Sequence, residues 1–426
     1  MGHRLRLLVA LGALACDVFA TPSCYAAAAT TDAQQWVAAW ATAVQSIPDL
    51  RDPPPLYRAP EVSGRTVREI VYPTASGQTV KLRVSNAYGR TPLVIDGMAL
   101  ARSTGGAAVR PGTSVQLTFG GRSSVVLEPG REVESDAVKL DVRGGAAYAV
   151  SIHVRPGQTM TAWHRVANQI NYVSTPGDHT LDAAPTAYVK RFTASAWITS
   201  MSVLGTSHGA IAAIGDSITD GLRSSVNANR RWPDGLARRL SGEDARGIAV
   251  LDLGISGNRL LSDSACYGEA LERRFGRDAL DQAGVKAVIV LVGINDINFA
   301  AMSPRNGLDC DAPHTVVTAS DIINGYRRLI DAAHRHGVRI FGATLTPAAA
   351  RSTREGIRQA VNAWVRTGGA FDGVIDFDAA LRDPAHMDRL RADYDSGDGI
   401  HPNDAGYAAM AGAIALGPLM SPLGRR

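Results

Sequence analysis

The chain has 426 residues, of which 45% are hydrophobic and 20% are charged, as in ordinary folded soluble proteins. Its formal net charge of +4 comes mostly from scattered arginines, so neither nucleic-acid binding nor a basic patch for anionic membranes is supported. At about 150 residues per domain, this length predicts two or three domains.

Residues 1–28 have the features of an export signal. Arg4 and Arg6 form a short positive region, the apolar run 7–16 follows, and small residues suited to cleavage come after it. The apolar run is too short to span a bilayer, which favours a cleaved signal peptide over a membrane anchor. Lipoprotein processing at Cys16 is a weaker alternative. We therefore expect a secreted protein, extracellular or periplasmic, without a stable membrane anchor.

Residues 32–205 are predicted to form a β-sandwich domain with a leading helical segment. The leading segment, Asp32 to Val44, is apolar at helical spacing. It carries Trp36 and Trp40, which are expected to pack in the interior; an aromatic platform for sugars is the alternative. The predicted strands are 66–71, 80–84, 93–100, 114–119, 123–127, 135–142, 146–155 and 194–204. Short strands separated by turn signals favour an antiparallel, jelly-roll-like sandwich.

Residues 208–420 have a different sequence pattern, in which apolar strands alternate with amphipathic helices. The predicted strands are 211–214, 248–253, 285–292, 338–343 and 373–377, and the predicted helices begin near 233, 268, 320, 353 and 403. This alternation predicts a parallel five-stranded sheet covered by helices on both faces. Ligands of such sheets bind outside the carboxyl ends of the strands.

Four segments place polar residues at these strand ends or just before the last helix. They are GDSITDG (215–221), GISGNRLL (254–261), VGINDI (292–297) and DGIHPNDAGY (398–407). Ser217 stands at a strand-to-helix turn, where its Oγ can reach a cleft and its N–H lies at a helix N-terminus. Asp398 precedes His401 by three residues, so its carboxylate can accept from Nδ1–H. Nε2 is then free to take a proton from a serine hydroxyl.

In this order, the four segments resemble the motifs of the SGNH (GDSL-type) hydrolase family, over roughly 208–420. The resemblance implies a flavodoxin-like three-layer α/β domain and a serine carboxylic-ester hydrolase that needs no metal or other cofactor. Ser217 would be the nucleophile that is transiently acylated, and His401 the general base and then the general acid. Asp398 would hold the imidazole in its tautomer and orientation.

The resemblance also implies an oxyanion hole. Its donors would be the backbone N–H groups of Ser217 and Gly257 and the side-chain amide of Asn295. Gly257 is expected to be small because its backbone must approach the substrate closely. The residues expected to support these loops rather than react are Asp216, Asn258 and Asp296. His164, in the β-rich half, is expected to be structural.

Cys266 and Cys310 are the cysteines that lie beyond the signal and its expected cleavage region. In an oxidising compartment they are expected to form a disulfide; two separate buried thiols are the alternative. The segment between them joins the second and third motif regions. We therefore expect the bridge to flank the active site.

The leading expectation for activity is hydrolysis of short acyl esters, including O-acetyl groups of carbohydrates. A lipase, lysophospholipase or arylesterase is a close alternative, and acyl transfer to a sugar hydroxyl is another. The complete motif set disfavours a non-catalytic binding module. The expected partner is a small ester or an acylated polysaccharide, and no nucleic acid. Acyl length, the alcohol and the oligomeric state stay open.

Overall fold

The structure, a computed structural model, describes residues 1–2, 34–241, 247–348 and 352–421. Apart from its first two residues, the signal peptide expected at 1–28 lies outside this part of the chain. From Gln34 onward the described residues belong to one compact unit. No helix among the described residues combines the length and apolar character that a membrane crossing requires.

The first half consists mostly of antiparallel strands. They are β1 Gln35–Ala41, β2 Gln45–Ser46, β3 Arg65–Val71, β4 Gly77–Ser85, β5 Leu93–Gly105, β6 Ala108–Val109, β7 Val115–Gln116, β8 Val125–Leu127, β9 Glu132–Glu134, β10 Val138–Val142, β11 Tyr148–Val154, β12 Ala162–Trp163, β13 Asn171–Pro176, β14 Tyr188–Phe192 and β15 Ile198–Gly205. One sheet has the order β1-β15-β4-β10, with β9 also on β4. The other has the order β14-β13-β3-β11-β5-β6, with β7 and β8 on β5. This arrangement agrees with the predicted β-sandwich.

The core of this half lies between the two sheets. Alternate residues of β4, such as Val80 and Leu82, are fully buried, and so are Val150 and Ile152 on β11. All of them belong to one apolar cluster. The buried apolar residues of β4 therefore alternate along the strand, as expected for a strand with one inward face. β13 and β14 were not predicted.

The predicted leading helix is wrong, because residues 35–41 form strand β1. The strand pairs with β15, and its register shifts between Ala38 and Trp40. Its central residues are buried, and Ala38 N–H donates to the Ala283 carbonyl at 2.8 Å. A strand with so little exposed surface loses its alternation, so its apolar run cannot be distinguished from a buried helix by periodicity.

The second half alternates strands and helices. The strands are β16 Ala210–Gly215, β17 Ala249–Gly254, β18 Val285–Leu291, β19 Arg339–Ala343 and β20 Gly373–Ile375. The helices are α1 Ser217–Asp220, α2 Trp232–Leu240, α3 Leu271–Phe275, α4 Ile294–Phe299, α5 Ala319–Arg335, α6 Ser352–Thr367, α7 Phe377–Leu381, α8 Asp404–Ala413 and α9 Leu416–Met420. All five predicted strands are present. The helix predicted from 268 begins at Leu271 and continues as a π-helical segment, Gly276–Leu280.

The sheet of this half is parallel, with the order β17-β16-β18-β19-β20. That order confirms the flavodoxin-like prediction. Crossovers between parallel strands are right-handed. The helix α2, between β16 and β17, therefore covers one face of the sheet, and α3, α5 and α6, between the later strands, cover the other. The carboxyl ends of β16, β17 and β18 therefore lie side by side, where the first three motifs begin.

The β-rich half contacts β17, which is one of the two edge strands of the parallel sheet. The Thr74 hydroxyl donates to the Val250 carbonyl at 3.0 Å, and Val250 N–H donates back to it at 2.9 Å. These bonds cap strand groups that would otherwise face solvent. The change of architecture lies between Gly205 and Ala210, the end of β15 and the start of β16. Division into separate domains at 205/208 stays a prediction.

Candidate active site

Ser217 is the first residue of α1, immediately after β16. Asp216 is the N-cap, and its Oδ1 accepts from Ile218 N–H at 3.0 Å, which closes the turn. Gly215 leaves no room for a side chain, because a Cβ there would lie 2.1 Å from the Leu291 carbonyl oxygen. The strand end and the cap thus orient the Ser217 hydroxyl toward the cleft.

The structure brings together the three side chains that the sequence assigns to a triad. Ser217 Oγ lies 2.8 Å from His401 Nε2, and His401 Nδ1 lies 2.9 Å from Asp398 Oδ2. The serine and the Asp-His pair are separated by more than 180 residues but are joined by a continuous hydrogen-bonded chain. This geometry can remove a proton from the serine hydroxyl.

The Asp398 carboxylate is held in place by its own loop. Its Oδ1 accepts from the backbone N–H groups of Ile400 at 3.0 Å and His401 at 2.8 Å. Partial burial raises the pKa of Asp398, but these bonds and the imidazole outweigh it and hold the pKa well below its usual value. The carboxylate therefore stays charged, as a group that steadies the imidazole must.

The three predicted oxyanion donors follow three neighbouring strands. Among the described residues, the backbone N–H groups of Ser217 and Gly257 have no hydrogen-bond acceptor. One N–H of the Asn295 amide donates to the Asn258 carbonyl at 2.9 Å, which orients the amide and leaves its second N–H available. The site therefore offers three donors for a developing oxyanion.

Gly257 is glycine for a reason that the sequence did not show. Its φ is +83°, in the region that favours glycine, and a Cβ there would lie 2.4 Å from the Tyr267 ring. Close approach to the substrate was the predicted reason. The structure adds that the Tyr267 ring occupies the space of a side chain.

Two of the predicted supporting residues fix the loop after β17. Asp296 accepts from the N–H groups of Leu260 and Leu261 at 2.8 and 3.0 Å. Asn258 donates to the carbonyls of Tyr267 and Glu269, both at 2.8 Å. Both side chains are buried, so their role in the structure is to hold the loop.

The three side chains open into a cleft of about 450 Å³. Its apolar lining includes Leu222, Tyr267, Phe299, Met302 and Ile400, and its polar lining includes Ser256, Asn295, Asn298, Arg165 and Arg354. Trp36 and Trp40 are not among the lining residues. Within the described residues, no group of three or more His, Cys, Asp or Glu side chains is placed to hold a metal ion.

Cys266 and Cys310 form the predicted disulfide, with their Cα atoms 5.1 Å apart. The bridge flanks the cleft, because Tyr267 follows Cys266 directly and packs against Phe299 with ring centroids 5.5 Å apart. The Ser264 hydroxyl donates to the Cys310 carbonyl at 2.6 Å and ties the two loops together. The disulfide therefore supports one wall of the cleft.

Reduction of this disulfide is expected to lower activity before the fold is lost. The loop carrying Tyr267 would loosen, so KM should rise several-fold while the far-ultraviolet circular dichroism stays native. The variant Cys266→Ser/Cys310→Ser is the control, since reductant should not change it further. Loss of secondary structure in parallel with activity would contradict this prediction.

Sequence reasoning missed a link between the β-rich half and the first motif. His164, which follows β12, is buried, with Nδ1 2.9 Å from the Ala43 carbonyl and Nε2 3.0 Å from Asp220 Oδ1. Burial lowers the pKa of His164, but the Asp220 carboxylate outweighs it and raises the pKa. The other Asp220 oxygen accepts from Ser256 N–H at 2.8 Å. The contacts of His164 are structural, and its partner Asp220 lies in the segment GDSITDG that also contains Ser217.

Asp216 is predicted to make stability depend on pH. Burial raises the pKa of Asp216 to about 7, from an ordinary value of 3.8. Between these two pH values the folded protein keeps a proton on this carboxyl group that the unfolded chain has already released. This contribution to stability is complete below the lower value and is lost as pH rises through about 7. Asp216→Asn keeps the acceptor for Ile218 N–H and should therefore flatten the decline, as measured by urea unfolding at several pH values.

The decline should not vanish in this variant, because burial also raises the pKa of Asp252 to about 7 and that of Asp296 to about 6. Asp331→Asn is the matched control, since Asp331 is exposed on α5. An Asp216→Asn protein with the slope of the wild type would refute the assignment.

Residues 213–409 match the model of the GDSL-like lipase/acylhydrolase family. This region is a GDSL-like lipase/acylhydrolase domain. The match contains every residue assigned above to the triad and the oxyanion hole. The protein is a carboxylic ester hydrolase. No curated protein matches the chain in sequence.

Solved structures that are similar to this chain cover about half of it. The acetylxylan esterase Axe2 from Geobacillus stearothermophilus is 21% identical, with a TM-score of 0.38, over 51% of this chain and 97% of that one. A GDSL-like lipase from Bacteroides thetaiotaomicron is 18% identical, with a TM-score of 0.34, over 50% of this chain and 88% of that one. The hydrolase LAE5 from the metagenome of Lake Arreo is 19% identical, with a TM-score of 0.36, over 49% and 93%.

Proposed function

We propose that the protein hydrolyses short acyl esters through an acyl-enzyme on Ser217. The observation that carries the proposal is the hydrogen-bonded chain from Ser217 Oγ through His401 to Asp398, with contacts of 2.8 and 2.9 Å. In the first step Oγ bonds to the ester carbonyl carbon while Nε2 takes its proton. The carbonyl oxygen becomes an oxyanion that the Gly257 and Ser217 N–H groups and the Asn295 amide stabilise.

Collapse of this intermediate breaks the bond to the alcohol oxygen, and His401 gives that oxygen the proton. A water molecule then attacks the acyl carbon, with His401 again as the base. The acid leaves and the Ser217 hydroxyl is restored. Every proton passes through Nε2, so the imidazole must remain in the orientation that Asp398 imposes.

A short acyl group, including O-acetyl on carbohydrate, is the substrate we favour. The cleft has a volume of about 450 Å³, and Leu222, Tyr267 and Ile400 line it together with Ser217. Its polar lining, which includes Ser256 and Asn298, suits a hydroxylated alcohol portion.

The test is a series of nitrophenyl esters from acetate to palmitate, run beside release of acetate from acetylated xylan. We expect kcat/KM to be highest for the shortest acyl groups, and a fluorophosphonate to label Ser217 stoichiometrically by mass spectrometry. A maximum of kcat/KM at palmitate would favour a lipase. Failure of the fluorophosphonate to label Ser217 would contradict its role as the nucleophile. Adding an acceptor sugar separates hydrolysis from acyl transfer, since transfer would give an acetylated sugar instead of acetate.

We also propose that the protein is exported. The positive and apolar pattern of residues 1–28 supports this, and so does the Cys266–Cys310 disulfide, because such bonds persist in oxidising compartments. Export predicts a mature protein that lacks the signal and is found outside the cytoplasm. Amino-terminal sequencing of the protein from culture medium and periplasm tests this, and an intact Met1 in the cytoplasm would contradict it.

A further inference from the structure

Among the charged side chains that line the cleft, positive groups outnumber negative ones. They are Arg165, Arg354 and Asp398. The Asp398 carboxylate already bonds to His401 and also accepts from Arg223 Nε at 3.3 Å. In the described part of the chain, neither Arg165 nor Arg354 forms an ion pair with a carboxylate. The cleft therefore presents two guanidinium groups without a counter-charge.

Arg165 belongs to the β-rich half, but its neighbours in the chain bond to the segment GDSITDG, which contains Ser217. Its neighbour His164 contacts Asp220 at 3.0 Å, and the Asn168 amide donates to the Gly221 carbonyl at 2.7 Å. These bonds fix both ends of the short segment that carries Arg165. Its Nε is buried and has no hydrogen-bond partner among the described residues, and the guanidinium lies 5.4 Å from the ring centroid of Tyr57.

Arg354 lines the cleft from α6, in the second half of the chain. Its Nη1 donates to Asn298 Oδ1 at 2.9 Å, and Asn298 itself lines the cleft. A guanidinium carries five N–H donors, so this single bond leaves most of them available. A neutral amide partner orients the group without cancelling its charge.

We propose that the cleft binds an ester whose alcohol portion carries an anion, a carboxylate or a phosphate, which Arg165 and Arg354 recognise. This inference rests on the proposed function. Guanidinium groups match both anions in shape and bind them through paired N–H···O bonds. Because the acyl group is short, an anion that reaches these arginines belongs to the alcohol. The β-rich half thereby supplies a specificity-determining residue to the hydrolase site.

The experiment compares two pairs of acetyl esters, each with an anionic and a neutral member. The carboxylate pair is the methyl glycoside of an O-acetylated glucuronic acid and its uronamide, and the phosphate pair is O-acetyl glycerol phosphate and O-acetyl glycerol. We expect kcat/KM to favour the anionic member by about 10- to 100-fold, the range for hydrogen bonds to charged groups. Rising ionic strength should reduce this preference. The pair with the larger preference identifies the source of the anion.

Arg165→Gln and Arg354→Gln should each bring the ratio of kcat/KM for the two members toward one. Arg110→Gln is the matched control, since Arg110 is exposed and does not line the cleft, and it should keep the wild-type ratio. The inference would be overturned if the wild type had the same kcat/KM for the anionic and the neutral esters. It would also be overturned if the two variants lowered kcat/KM equally for both members of a pair.

The same assay separates this inference from the proposed function. If the Ser217→Ala variant hydrolyses the neutral esters as well as the wild type does, the proposed function fails. If hydrolysis of the neutral esters depends on Ser217 but the wild type shows no preference for the anionic esters, only the anion site fails.

Discussion

Ser217→Ala is expected to lower kcat by about 10⁴- to 10⁶-fold, because it removes the atom that becomes acylated. The fold should be unchanged, since the Ser217 side chain contacts the imidazole at 2.8 Å and caps no helix; Asp216 does that. The measurement is steady-state hydrolysis of nitrophenyl acetate, with the melting temperature as the check on folding. Residual activity comes from binding and the oxyanion donors alone.

Ser256→Ala is a matched control for this substitution, because Ser256 also lines the cleft but has no contact with the imidazole. It loses the hydroxyl bond to Asp220 and should lower activity far less than Ser217→Ala. A Ser217→Ala protein that retained more than about one hundredth of wild-type kcat would be incompatible with a serine nucleophile.

Asp398→Asn is expected to lower kcat by about 10⁴-fold while the loop keeps its shape. The asparagine oxygen can still accept from the N–H groups of Ile400 and His401. Its amide would then donate to Nδ1, which places the imidazole proton on Nε2 and removes the base that faces Ser217. Measuring kcat for nitrophenyl acetate from pH 5 to 9 tests this effect.

The control for this loop is Asp395→Asn. Asp395 Oδ1 accepts from the N–H groups of Gly397 and Gly399, and an asparagine oxygen can accept the same bonds. Most of the activity should remain in this variant. Similar losses in the two variants would mean that the carboxylates act only on the shape of the loop.

The parallel sheet and its motifs could be predicted because their signals are local. Strands covered on both faces are continuous apolar runs, and each of the first three was followed by a recognisable polar segment. A helix N-terminus was predicted at Ser217, where α1 begins, but the helix α4, which carries Asn295, was not predicted, because six residues are too few to show a helical period.

The β-rich half was less predictable for physical reasons that differ from strand to strand. β1 was assigned as a helix because it is buried against β15 and beside β17, so it lost the alternation that marks a half-exposed strand. In β13, the first four residues, 171–174, are all buried, and its apolar signal is interrupted by Asn171 and Ser174, whose side chains bond within the half.

By itself the sequence predicted the candidate triad, with Ser217 at a strand end and with Asp398 and His401 in the segment just before the last helix. Only the tertiary structure decided what surrounds them. The contact of His164 with Asp220, the Tyr267 ring beside Gly257 and the entry of Arg165 into the cleft join residues distant in the chain. Such contacts leave no periodicity or spacing in the sequence, because they depend on how two separately patterned halves pack together.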